Sequence, residues 1–124
     1  MQFNFDGKTP LFQQVADEIL EGIFNGSYEE NTQIPSTTEI SKSYKINPAT
    51  ILKGMNRLVA EGLIEKKRGL GMFVVSGAQQ KILEYRKKKF FNQEIYRFLE
   101  ETEKLGITKQ QLIDFIEGEY HHDS

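Results

Sequence analysis

Three stretches of sequence decide the fold: Pro-Ser-Thr-Thr-Glu-Ile at residues 35–40, Asn-Pro-Ala-Thr-Ile at residues 47–51, and Leu-Ile-Glu-Lys-Lys-Arg-Gly-Leu-Gly-Met-Phe-Val at residues 63–74. In the first, Ser36 and Glu39 have the spacing of a capping box, which starts a helix. In the second, Asn47 can cap a helix and Pro48 suits its first position. In the third, glycines allow a tight loop between two short extended runs. Together they predict a winged helix-turn-helix, a mainly α fold with one small β-hairpin.

Helical periodicity extends the prediction toward the N-terminus. Thr9 can cap a helix and Pro10 can open it, and apolar residues at helical spacing carry that helix to about Asn25-Gly26. Residues 27–34 are a polar connection that could end in a short strand pairing with the hairpin. The helix opened by Ser36 should run over residues 37–43, followed by a turn at residues 44–46 with Ile46 pointing inward.

The second helix of the motif should start after Asn47 and stop at Gly62. Its apolar face is predicted to hold Ile51, Met55, Leu58 and Val59. The hairpin strands are then expected at residues 63–66 and 72–75. A long helix from about Gln79 to Lys104 should follow, then a capping box of Thr108 and Gln111, a last helix over residues 109–118, and a frayed tail from Tyr120 to Ser124.

Length and composition limit the domain count and the class of protein. With 124 residues, 38% of them hydrophobic, the chain can build one compact core with a small helical appendage. We therefore divide it into residues 1–77, a winged helix-turn-helix domain, and residues 78–124, a two-helix tail. The absence of cysteine excludes disulfides and thiolate metal sites and fits a reducing compartment. No apolar run approaches the roughly 20 residues of a membrane span, and the N-terminus lacks signal-peptide features, so we expect a cytoplasmic protein without membrane partners.

The net charge of -2 hides a strong segregation of charge along the chain. Residues 1–40 hold one Lys against seven acidic residues, a charge of -6, and residues 92–124 hold three basic against eight acidic residues, a charge of -5. Residues 41–91 hold twelve basic against three acidic residues, a charge of +9. Positive charge is thus concentrated in the helix-turn-helix, the hairpin and the run Arg86-Lys87-Lys88-Lys89. A local cationic face of this kind favours binding to the phosphates of nucleic acid.

Double-stranded DNA is the partner that this arrangement predicts. The second helix of such a motif enters the major groove, the opening of the first faces the DNA backbone, and the basic, glycine-containing hairpin approaches the backbone or a narrow minor groove. Several of these residues also have a purely structural reading, since Ser36 and Asn47 are helix caps. The predicted DNA-binding residues are Ser36, Thr37, Thr38, Asn47, Ala49, Thr50, Lys53, Arg57, Lys67, Arg68, Gly69 and Gly71.

The order of these motifs resembles the DNA-binding domain of GntR-family transcriptional regulators. The resemblance covers residues 9–75 and includes Pro-Leu-Phe-Gln-Gln-Val at 10–15, Ile-Pro-Ser at 34–36, Asn-Pro-Ala-Thr-Ile at 47–51, Glu-Gly-Leu-Ile at 61–64 and Gly-Leu-Gly-Met-Phe-Val at 69–74. The short helical tail is similar to that of the YtrA subfamily. This likeness implies a bacterial, dimeric repressor that acts on an inverted repeat and often controls a transporter operon.

Two positions depart from the family pattern. Members commonly carry an arginine where this chain has Thr38, and often another where it has Leu52. Both positions tend to contact DNA in the family, so the operator sequence does not carry over. Lys53 and Arg57 could compensate for the missing arginines.

The tail holds bulky apolar residues that two helices alone cannot bury, so it must pack on a partner or on the N-terminal helix of its own chain. A twofold homodimer would also present two wings to a palindromic site. A pocket for a small-molecule effector between the tail helices stays open as a further use, its ligand unknown. The predicted dimerisation residues are Ile82, Tyr85, Phe90, Phe91, Ile95, Phe98, Leu99, Leu112, Phe115 and Ile116.

Other functional classes receive less support from the sequence. The two histidines, His121 and His122, are adjacent at the C-terminus, a poor arrangement for a metal pair, and no phosphate-binding loop or nucleophile motif is present. We therefore predict no catalytic residues, no metal and no cofactor. The rival interpretation is a winged-helix module that binds another protein, with enzymatic function as a distant third.

Overall fold

A computed structural model describes residues 1–121 and confirms a mainly helical fold with one antiparallel hairpin. The chain forms two compact units, Met1–Glu84 and Tyr85–Ser124. The elements are α1 (Leu11–Phe24), α2 (Thr37–Tyr44), α3 (Pro48–Ala60), β1 (Ile64–Lys67), β2 (Gly71–Val74), α4 (Ala78–Phe90), a π-helical segment (Phe91–Ile95), α5 (Tyr96–Lys104) and α6 (Lys109–Glu119).

The core of the first unit forms around α3, which contacts α1, α2 and β1. Helices α1 and α3 approach closely at Gly54, where a β-carbon would come within 2.6 Å of the Phe12 carbonyl oxygen and 3.1 Å of the Val15 side chain. Val59, predicted on the buried face of α3, is instead exposed, because Ile51, Gly54, Met55 and Leu58 form that face and Val59 lies about 100° around the helix from Leu58. The buried side chains are mainly aliphatic: Val15, Ile19, Ile23, Ile34, Ile40, Ile46, Ile51, Met55, Leu58, Leu63, Ile64, Val74 and Ile82, with Ala16 and Ala78.

Local capping sets the start of α2 and the turn after it. The backbone N–H of Glu39 donates to Ser36 Oγ (3.1 Å), and the Ser36 N–H donates to Glu39 Oε1 (3.2 Å), which completes the predicted capping box. Lys45 ends α2 in the left-handed conformation with φ of 55°, and the Ser41 hydroxyl donates to the Ile46 carbonyl at 2.7 Å. The turn therefore points Ile46 into the core as predicted.

The start of α1 differs from the prediction. Pro10, not Thr9, occupies the N-cap position, and the helix begins at Leu11 without a side-chain cap. The Pro10 carbonyl accepts from the N–H groups of Gln13 and Gln14, each at 3.1 Å. A cap by Thr9 is therefore wrong by one position, because Pro10 is extended, with ψ of 139°, and lies outside the helix.

The hairpin pairs β1 with β2 in the register Ile64–Val74, Glu65–Phe73, Lys66–Met72 and Lys67–Gly71. Compared with the predicted strands, β1 starts and ends one residue later, and β2 starts and ends one residue earlier. The connection before α2 adds a short third strand-like segment, as the sequence suggested. Its bonds to β2 include the Ile34 N–H donating to the Met72 carbonyl (3.0 Å) and the Val74 N–H donating to the Thr32 carbonyl (3.0 Å). This pairing joins the N-terminal half of the unit to the wing.

In the second unit, the predicted long helix from Gln79 to Lys104 is interrupted. The segment Phe91–Ile95 is π-helical, and it separates α4 from α5. The second capping box forms as predicted: the Gln111 N–H donates to Thr108 Oγ1 (3.1 Å), and the Thr108 N–H donates to Gln111 Oε1 (2.8 Å). Thr102 is buried and its hydroxyl donates to the Leu99 carbonyl at 2.8 Å. Most of the frayed tail predicted from Tyr120 onward, including His122, lies outside the described residues.

Candidate nucleic-acid interface

The N-terminus of α3 presents three of the predicted DNA-contacting residues. The Asn47 side-chain oxygen accepts from the backbone N–H of Ala49 at 2.8 Å, so it caps the helix and leaves its amide nitrogen outside that bond. Ala49 is exposed and Thr50 is half-buried. The first turn of α3 therefore offers an amide, a methyl group and a hydroxyl near the positive end of the helix, the end that such motifs place against base edges.

The two basic residues of α3, Lys53 and Arg57, both contact other side chains of the protein. Lys53 places its Nζ 4.1 Å from the centre of the Phe12 ring of α1, a cation–π contact. Arg57 Nε lies 3.2 Å from Glu61 Oε1, an ion pair one helical turn apart. Both side chains remain exposed and could turn to phosphate, but neither lies free above the helix.

The start of α2 presents a smaller polar surface than the sequence implied. Ser36 Oγ is engaged in the capping box, and the Thr37 hydroxyl donates to Met55 Sδ at 3.5 Å. The Thr37 side chain is therefore directed toward the core, and we leave its hydroxyl out of the candidate interface. Thr38 is exposed, so its hydroxyl is open to a phosphate oxygen together with the free N–H groups of the first turn.

The wing between β1 and β2 depends on two glycines with positive φ. Gly69 has φ of 78° and Gly71 has φ of 127°, conformations that side chains with a β-carbon rarely adopt. Lys67 places its Nζ 4.6 Å from the centre of the Phe73 ring, which holds its charge beside the strand. Arg68 is exposed next to Gly69 at the loop. The wing thus combines a narrow backbone with two cations.

A residue that the sequence analysis missed holds this wing in place. Gln33 donates from Nε2 to the Leu70 carbonyl oxygen at 2.7 Å, and a β-carbon on Gly71 would come within 2.5 Å of the same nitrogen. Gln33 also bridges to Phe73 across the sheet edge. The two partners are 37 positions apart, so no local pattern indicates the contact.

The residues predicted to form a dimer interface fall into two groups. Ile82 is only 3% exposed and belongs to the core of the first unit, so its assignment to a dimer surface is corrected: α4 begins as part of that core. Ile95 and Leu112 are half-buried within the second unit. The other seven are exposed: Tyr85, Phe90, Phe91, Phe98, Leu99, Phe115 and Ile116.

Neither a metal site nor a membrane-spanning helix is found among residues 1–121. There, no group of three or more His, Cys, Asp or Glu side chains is placed to hold a metal ion. Over the same residues, every helix is too short or too polar to cross a bilayer.

A helix-turn-helix with a glycine-containing basic wing defines the class of winged-helix DNA-binding domains. The family model of bacterial regulatory proteins of the gntR family matches residues 11–74, the part of the chain that carries α1 to β2. The chain therefore belongs to the gntR family and is a DNA-binding transcriptional regulator.

Two curated proteins of Bacillus subtilis (strain 168) match almost the whole chain. YhcF, an uncharacterised HTH-type transcriptional regulator, is 27% identical over 116 residues, which are 94% of this chain and 94% of YhcF. The HTH-type transcriptional repressor YtrA is 23% identical over 116 residues, 94% of this chain and 88% of YtrA. The resemblance to YtrA-like regulators thus extends through the helical tail.

Solved structures agree with the fold. A GntR-family regulator from Bacteroides thetaiotaomicron is 34% identical with a TM-score of 0.73, and the match covers 86% of this chain and 94% of that one. The DNA-binding domain of AraR in complex with operator ORR3 is 28% identical with a TM-score of 0.54, over 60% of this chain and 90% of that one. The second likeness shows a related domain bound to its operator.

Proposed function

We propose that this protein is a homodimeric transcriptional repressor that binds an inverted-repeat operator in the cytoplasm. The observation that carries the proposal is the pairing, in one unit, of an open α3 N-terminus at Ala49 and Thr50 with a wing whose tip is bare backbone at Gly69 and Gly71. Such a pair suits the major groove and the adjacent backbone of one DNA site.

The dimer part of the proposal is supported by the surface of the second unit. Eleven large apolar side chains among its described residues are exposed although a compact unit has formed, a situation typical of interfaces. A twofold pair would place two copies of α3 on half-sites about one helical turn apart. Occupancy of such a site at a promoter would block transcription, and the similar protein YtrA is an HTH-type transcriptional repressor. By the same likeness, a neighbouring transporter operon is the proposed target.

The test is a fluorescence-anisotropy titration of the purified full-length protein with the DNA upstream of its own gene and with a scrambled duplex. Three variants are compared: Arg68→Ala at the wing, Thr50→Ala at α3, and Lys109→Ala at α6 as a matched loss of one positive charge. Arg68→Ala should lower the affinity for all duplexes by about three- to tenfold. It should also reduce the slope of log affinity against log salt concentration by about one. Thr50→Ala should change the preferred sequence, and Lys109→Ala should leave both readouts unchanged.

Different results would separate this function from its rival. Salt-sensitive binding to an inverted repeat, with a sedimentation mass of twice 14.4 kDa, supports the proposal. Unchanged affinity of Arg68→Ala at low salt would remove the wing from the interface. A chain that binds no duplex selected from random sequence would favour a winged-helix module that binds another protein.

A further inference from the structure

Leu52 is a large apolar side chain exposed on the helix that we place in the major groove. It is 44% exposed, whereas Ile51, Gly54, Met55 and Leu58 form the buried face of α3. Each residue turns an α-helix by about 100°, so Leu52 lies beside the outward face and one turn after Ala49, which is also exposed. Single exposed leucines are common on proteins, and the location of this one is what gives it meaning.

The two basic residues of α3 are less available to contact DNA bases than the composition of the helix suggests. Guanine is read in the major groove mainly by an arginine or lysine that donates to O6 and N7. Lys53 lies over the Phe12 ring at 4.1 Å and Arg57 pairs with Glu61 at 3.2 Å, so the two basic residues of α3 are both directed to protein partners. Beside the Asn47 amide and the Thr50 hydroxyl, the outward surface of the first two turns therefore presents hydrocarbon groups at Ala49 and Leu52.

Hydrocarbon has one complementary feature in the major groove. Among the four base pairs, only those with thymine present an apolar group there, the C5-methyl, and alanine, threonine or other apolar side chains contact it. The methyl group and the leucine side chain both lose contact with water when they meet, which favours thymine over cytosine at that position.

We propose that Leu52, with Ala49, determines specificity by packing on the C5-methyl group of thymine in each half-site. The inference rests on the proposed function, because it requires α3 to occupy the major groove. It makes the operator rich in T·A pairs opposite the first two turns of α3.

The test removes one chemical group at a time, from the DNA and from the protein. In a duplex obtained by selection with the full-length protein, each half-site thymine is replaced in turn by deoxyuridine, which keeps base pairing and removes only the methyl group. For the unchanged protein, affinity should fall about fourfold at one or two positions per half-site. For Leu52→Ala, the effect should be lost at the position that Leu52 contacts, because that side chain is gone, and should remain at a position that Ala49 contacts.

Val59→Ala serves as the matched control. Val59 is also an exposed apolar residue of α3, but it lies near the C-terminal end of the helix. This variant should keep the full deoxyuridine effect. A further variant, Leu52→Arg, should shift selected half-sites toward G·C pairs at the positions identified by deoxyuridine.

Several results would overturn the inference alone. These are a selected site without thymine opposite α3, affinities unchanged by every deoxyuridine, or deoxyuridine effects in Leu52→Ala that equal those of the unchanged protein at every position. Failure of the unchanged protein to bind any selected duplex would instead overturn the proposed function, so the two failures are distinguishable.

Discussion

The two units of this protein treat their apolar residues in opposite ways. In Met1–Glu84 the aliphatic side chains of three helices and the hairpin fill one core, and α1 and α3 meet so closely that only glycine fits at position 54. In the described part of Tyr85–Ser124, Thr102 is the buried residue, and the aromatic side chains are exposed. The first unit buries most of its large apolar residues in one core, whereas the second leaves most of its own on the surface.

The largest effect is expected from a charge placed on that outward surface. Phe115 on α6 is 67% exposed, so Phe115→Glu should leave the fold of its own unit intact. In a twofold dimer it would remove two buried rings and introduce two unpaired charges, weakening dimerisation roughly a hundredfold or more. Sedimentation equilibrium measures this as a fall from twice 14.4 kDa to 14.4 kDa.

Asn92→Asp adds the same charge at an exposed polar residue of the second unit and is the control for Phe115→Glu. It should remain dimeric under the same conditions. A Phe115→Glu protein that keeps its dimer mass would show that α6 lies outside the interface.

The next largest effect concerns the closed packing of the first unit. Gly54→Ala would bring a β-carbon within 2.6 Å of the Phe12 backbone oxygen, which cannot move without displacing α1. The free energy of unfolding should fall by about 1–3 kcal/mol, as for other overpacked cores. Urea denaturation followed by circular dichroism measures it, and an unchanged midpoint would contradict the α1–α3 packing.

A smaller effect is expected where the first unit holds its wing. Gln33→Ala removes the donor to the Leu70 carbonyl, so the loop loses one hydrogen bond of about 0.5–1.5 kcal/mol. DNA affinity should fall by about two- to tenfold, and the free energy of unfolding by no more than about 1.5 kcal/mol, since Gln33 is exposed and loses this one bond. The control is Gln110→Ala, which removes an exposed glutamine from α6 and should leave DNA affinity unchanged. An equal loss of DNA affinity in both variants would show that Gln33 does not position the wing.

The smallest effect is the counterpart of Gly54→Ala in the second unit. A β-carbon on Gly118 in α6 meets no atom within 4 Å. Gly118→Ala should therefore raise stability by about 0.5–1 kcal/mol, because alanine favours the helix more than glycine does. A loss of stability in the denaturation experiment would mean that this end of α6 is covered in the assembled protein.

Features that depend on neighbouring residues were predictable from the sequence. The capping boxes of Ser36 with Glu39 and Thr108 with Gln111 formed as expected, because each joins side chain and backbone within one turn. The fold class and family followed from these signals in their order. The candidate DNA-binding residues stay a prediction, because their exposure alone does not test contact with DNA.

Several features that depend on distant residues were not predictable. The exposure of Val59 depends on which side of α3 packs against α1, and the burial of Ile82 follows from the docking of the first part of α4 on the core. The hydrogen bond from the Gln33 side chain to the Leu70 carbonyl joins residues that are 37 positions apart. Periodicity also cannot distinguish an α-helix from one with a π-helical turn, since the apolar residues on either side keep helical spacing.

The π-helical turn at Phe91–Ile95 has a consequence for how related chains can diverge. A π turn accommodates about one residue more than an α turn, so deleting one residue there would restore regular α-helical winding with little change in the orientation of α5 relative to the end of α4. The side chains of α5 would keep their facing, and residues 1–84 would be unaltered. A related chain can therefore lose or gain one residue at this turn without rearranging the helix surfaces on either side of it.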